Sequence, residues 1–163
     1  MMNGAQPPEP AVLFTMRRLL LVVIGVGLAG TAADLLLLEH YDGPWQLPPL
    51  VLIGLALLVV AWLVVRMSPL AVAVMRITMI CFMVAGCAGI LLHYKGNSEF
   101  QREIDPALRG RALFLKVIKA KAPPALAPAV MIQLGLLGLL YTYHHPALRS
   151  AGVTRLRFKR SAR

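Results

Sequence analysis

The chain has 163 residues, 58% of them hydrophobic and 15% charged, with 17 Lys+Arg against 7 Asp+Glu and a net charge of +10. A soluble domain carries about 25% charge and roughly 45–50% apolar residues, so a soluble enzyme, a secreted disulfide scaffold and a disordered tail are excluded. The apolar excess falls in four stretches, each long enough or nearly so to cross a bilayer, and the chain reads as an integral membrane protein.

In chain order, residues 1–15 contain three prolines and read as a flexible arm, with Met16 as an alternative start. Arg17-Arg18 then precede the first apolar run, residues 19–38, interrupted only by Asp34. At about 1.5 Å per residue the run covers the roughly 30 Å hydrocarbon core. It is too long for a signal peptide and lacks a cleavage site, so an uncleaved anchor is expected. The turn Glu39–Gln46 leads to a second span, about 48–65. Ser68-Pro69 then predicts a helix start, Ser as N-cap and Pro in the first turn, opening a third span over about 70–92. An external loop over 95–124 follows, with Asp105-Pro106 read as the start of a short, weakly amphipathic surface helix. The fourth span is about 125–143, and residues 147–163 form a basic tail.

The expected fold is therefore an all-α bundle of four transmembrane helices, up-down-up-down, with residues 16–146 as its domain. Its charge sets the orientation. With a cytoplasmic N-terminus, that side holds Arg17, Arg18, Arg66, Arg76 and six tail residues against Glu9 alone, while the other side holds seven basic residues against five acidic ones. Both termini are expected in the cytoplasm. The basic residues bracket apolar spans instead of interleaving with aromatics, which argues against nucleic acid as a partner.

The sequence also hints at a duplicated helical hairpin. His40-Tyr41-Asp42-Gly43 and His93-Tyr94-Lys95-Gly96 both follow odd-numbered spans, and the text after Pro49 resembles the text after Pro128.

Candidate functional residues are few. Asp34 lies inside the first span, where a charge costs about 2.5–3.5 kcal/mol, so it should face protein or water and have a partner. With Gln133 it is read either as an outward-facing pocket for a proton or cation, or as a buried hydrogen-bonding group that fixes helix packing. His40 and His93 share one interface and suggest haem or metal, against the simpler reading of an interfacial aromatic belt. His144-His145 mark the opposite interface. Gly27, Gly30, Gly86, Gly89, Gly135 and Gly138 are read as packing grooves. Cys81 and Cys87 stand about 240° apart around one helix and cannot pair; packing is the expected role. The basic tail fits anionic headgroups or an acidic partner surface. Walker, GxSxG, HExxH and Cys-x-x-Cys motifs are absent from the sequence.

The stretches HYKGNSEFQREIDP and APALAPAVMIQLGLLGLLYTYHHPAL resemble segments of a group of small bacterial multi-pass inner-membrane proteins. The resemblance extends over most of residues 16–148 and implies a bacterial inner-membrane location. No activity is attached to that group, so it implies no site residues. Two functions are carried forward from the sequence: a non-enzymatic accessory subunit of a membrane assembly, binding lipids and other subunits or itself, and a transport or redox module, with haem or quinone, built around Asp34 and His93.

Overall fold

A computed structural model describes residues 10–120 and 124–148 of the chain. Its elements are α1 (Ala11–Leu37), α2 (Leu47–Val65), α3 (Pro69–Ile104), α4 (Gly110–Ile118) and α5 (Ala129–Thr142). Helices α1, α2 and α3 are each long and apolar enough to cross a membrane.

The first difference from expectation is at the N-terminus, where α1 already begins at Ala11. Ala11-Val12-Leu13-Phe14 are apolar and carry no breaker, so helix propensity runs back from Arg17 to Pro10. Residues 1–9 of the expected arm and 149–163 of the basic tail lie outside the described residues.

The link from α2 to α3 follows the expected chemistry. Ser68 is the N-cap and its side chain accepts from the Ala71 backbone N–H at 3.1 Å, with Pro69 in the first turn.

Helix α3 departs most from expectation. It does not end near Leu92 but continues unbroken to Ile104, about 18 Å further at the helical rise. Hydrophobicity stops at His93, yet Lys95, Glu99, Gln101, Arg102 and Glu103 favour helix nearly as well as leucine does. Asp105-Pro106 does not open a new helix. It closes α3, because a residue before proline is pushed out of the α region, and Asp105 is extended at φ −137° and ψ 92°. Leu108 N–H donates to the Asp105 carbonyl and Ala107 N–H to the Asp105 carboxylate, both at 3.1 Å, which makes residues 105–108 a tight turn. The expected loop 95–124 is therefore mostly helical. Leu113 and Val117 of α4 form a small core with Ala125, against Tyr94 of the α3 extension.

The fourth apolar stretch, expected as a span over 125–143, is helical only over Ala129–Thr142. Those 14 residues rise about 21 Å, and a turn over 124–128 precedes them.

Helix α1 packs on α2 and α5, and α3 packs on the same two, so α1 and α3 sit diagonally across one core. Ile24, Leu28, Ile53, Met75, Phe82 and Tyr141 fill its centre. The α3–α5 seam is the closest approach. A Cβ on Gly135 would stand 2.8 Å from the Met79 carbonyl, and one on Gly86 3.0 Å from both the Pro128 carbonyl and the Ile132 nitrogen. The small residues let two backbones meet, as membrane helices require where lipid gives no hydrophobic drive to associate. The two His-Tyr-x-Gly segments differ in backbone: the first lies in the turn after α1, the second inside α3.

Candidate functional site

Both ends of the bundle concentrate polar chemistry. At one end, α1 terminates in a Schellman motif: Glu39 N–H donates to the Leu36 carbonyl at 3.1 Å and His40 N–H to the Leu35 carbonyl at 2.9 Å. Glu39 takes the left-handed position, φ 51°, that usually belongs to glycine. This cap carries the half-buried His40 ring to within 6.3 Å of His93 in α3, centroid to centroid, with the ring planes tilted by 39°. His93 Nδ1–H donates to the Pro124 carbonyl at 3.1 Å; a carbonyl can only accept, so the tautomer is set. Partial burial first, and then the neighbouring His93 ring, hold the His40 imidazole below its usual range.

At the other end, α5 stops without the Schellman hydrogen bonds, and its last carbonyls are capped by arginines from two other helices. Arg17 of α1 donates to the Tyr141 carbonyl at 2.6 Å and the Tyr143 carbonyl at 3.1 Å. Arg76 of α3 donates to the Thr142 carbonyl at 2.7 Å and to its hydroxyl at 3.3 Å. Cations favour a helix C-terminus because unsatisfied carbonyls and the macrodipole make it negative. His145 is buried against Tyr141, rings 5.4 Å apart. Arg76, Tyr143, His144 and His145 line an open cleft of about 470 Å³.

The structure does not bring Asp34 and Gln133 together. Both are exposed on the outside of the bundle, and Asp34 has no buried partner among the described residues. Gly27 meets Leu134, which sets Gln133 near the level of Gly27, seven residues or about 10 Å along the helix from Asp34. Asp34 and Gln133 form no shared pocket because they stand at different heights and Asp34 lies beside Ala33 on the exposed face of α1.

Of the glycines, Gly27, Gly86, Gly89, Gly135 and Gly138 lie against neighbouring helices, but Gly30 faces open space. Cys81 and Cys87 are free and exposed, so neither packs in the core as expected. Among the described residues no group of three or more His, Cys, Asp or Glu is placed to hold a metal ion.

Sequence reasoning read Arg17 and Arg76 only as topology signals and missed their capping of α5. The one available hint was that the fourth apolar stretch ends in Tyr-Thr-Tyr-His-His, without a glycine or lysine to close the helix. No family model, curated protein or solved structure matches the chain.

Proposed function

We propose that the protein is a non-enzymatic accessory subunit of a larger assembly in the bacterial inner membrane, crossing it four times with both termini in the cytoplasm. The outer face of α1 carries this reading. Ala29, Gly30, Ala33 and Asp34 are all exposed there, one flat strip of small side chains ending in a carboxylate. In hydrocarbon a carboxylate costs about 2.5–3.5 kcal/mol unless paired, and small residues permit a second helix to approach closely. A helix from another subunit, presenting a hydrogen-bond donor or cation opposite Asp34, answers both needs.

The topology has its own support. Arg17, Arg18, Arg66 and Arg76 gather at the arginine end, whereas every Asp and Glu among the described residues belongs to the histidine-end half. The alternative, a transport or redox module using Asp34 and His93, has less support, since Asp34 faces away from the bundle.

The test is a mild-detergent pull-down of the tagged protein from its host, comparing the parent with Gly30→Leu and Asp34→Leu. A stoichiometric membrane partner should accompany the parent and be absent from both variants, which still elute as folded protein. A parent isolated alone, or a partner indifferent to both substitutions, overturns the reading.

A further inference from the structure

We propose that His40 and His93 form a two-coordinate binding site for a monovalent d10 metal ion, Cu(I) in the first place, at the histidine end of the bundle. The separation of the rings fits such an ion. An imidazole nitrogen lies about 1.1 Å from its ring centre, and the metal–nitrogen bond of about 2.0 Å in a four-coordinate site shortens to about 1.9 Å with two ligands, so two rings facing each other across a linear ion stand about 6.0 Å apart, centre to centre. The observed separation is 6.3 Å.

Protonation favours the same role. Because His93 gives its Nδ1 proton to the Pro124 carbonyl, its Nε2 keeps a lone pair when the ring is neutral. A backbone carbonyl on the far nitrogen is the usual outer-shell support of a metal-bound histidine, fixing both tautomer and ring orientation. His40 makes no hydrogen bond through its ring to any described residue, so neither of its nitrogens is committed elsewhere. Its position is preset by the two backbone bonds of the cap on α1, which lowers the ordering cost of bringing two distant segments to one ion.

The donor set then selects the metal. No third His, Cys, Asp or Glu among the described residues joins the pair. Zn²⁺ takes four ligands and the hard cations take oxygen. Imidazole suits copper, and two neutral imidazole donors with no third ligand match the two-coordinate preference of a filled-shell monovalent ion. A bound ion would also pin the C-terminal cap of α1 to α3, two helices that do not otherwise pack on each other.

The experiment uses the full chain, purified in mild detergent through a histidine-free tag and carrying Cys81→Ser and Cys87→Ser, because exposed thiols would capture Cu(I) themselves. Cu(I) is titrated anaerobically against a chromophoric Cu(I) chelator. One equivalent should bind. His40→Gln and His93→Gln should each weaken binding by roughly 100-fold or more, since loss of an outer-shell group alone costs 10–100-fold. His144→Gln, at the far end, should bind as the parent does. X-ray absorption of the loaded parent should show two nitrogen neighbours at about 1.9 Å, shorter than the roughly 2.0 Å of a four-coordinate site, a readout that does not depend on either variant folding. Failure to compete with the chelator, equal affinity in folded His40→Gln and His93→Gln, sulfur neighbours from methionine, or a haem absorbance band in the protein as purified each overturns the proposal.

Discussion

Helix ends are where single residues decide most in this chain. The C-terminus of α1 is closed locally by the Schellman motif, at the expense of a glutamate in the left-handed region, φ 51°. That conformation costs a residue with a Cβ about 1–2 kcal/mol. Glu39→Gly removes the strain but adds freedom to the unfolded chain, which returns part of the gain. The net expectation is a stabilisation of about 0.5–1 kcal/mol, read as a higher midpoint in detergent unfolding. Glu39→Val should move the midpoint down, because a β-branched residue tolerates that region least. The C-terminus of α5 is closed instead by partners 124 and 66 residues away, Arg17 and Arg76. The partners of such a long-range cap cannot be read beside the helix end: the sequence shows the cap at Ser68, whereas at the end of α5 it offers only His144-His145 as cations. The same holds for the histidine pair. Both residues stood out in the sequence, but their meeting depends on a cap at Glu39 and a turn at Pro124 that no periodicity announces.

At the scale of elements, apolarity located the long helices well because a bilayer demands about 20 apolar residues per crossing. It failed where helix and membrane part company. Polar residues after Leu92 end the apolar run without ending the helix, and only Pro106 supplies a stop. The glycines divide in the same way. Small residues mark possible contacts, but the face each one occupies depends on how the helices are rotated. Gly86 and Gly30 consequently make opposite predictions. Gly86→Ala places a methyl group 3.0 Å from two backbone atoms of the α5 start. Backbone cannot yield as a side chain does, so destabilisation of about 1–3 kcal/mol is expected, as for overpacking. Gly30→Ala meets nothing within 4 Å and should stabilise the isolated subunit by roughly 0.5–1 kcal/mol through helix propensity. Thermal unfolding of both variants in the same detergent compares the signs directly. Loss of stability in Gly30→Ala would mean that the α1 face is already covered within the chain.

For the whole molecule, the two ends differ in charge, and the difference bears on orientation. Arg17 and Arg76 spend their donors on α5 carbonyls, so their charge is partly offset by the helix dipole. Arg18, stacked 5.7 Å over Phe14, and the exposed Arg66 keep theirs available to a negative membrane surface. At the histidine end the seven basic residues are largely offset by Glu39, Asp42, Glu99, Glu103 and Asp105. In the proposed topology the arginine end lies in the cytoplasm and the histidine end, with α4, on the opposite side, as the positive-inside bias predicts. Single cysteines in a Cys81→Ser, Cys87→Ser background read this out. Gly96→Cys has open space around it and Leu126→Cys an exposed position. Both should react with a membrane-impermeant maleimide in intact cells. Met67→Cys and Tyr143→Cys, exposed at the arginine end, should react only after permeabilisation. The Leu126 and Tyr143 pair tests whether α5 crosses, since it rises about 21 Å against a core of roughly 30 Å. Tyr143, held by Arg17 at the level of the first turns of α1, should label from the same side as Met67. Labelling of Tyr143→Cys in intact cells while Met67→Cys stays protected would show that α5 does not cross. Inversion of all four would place both termini outside.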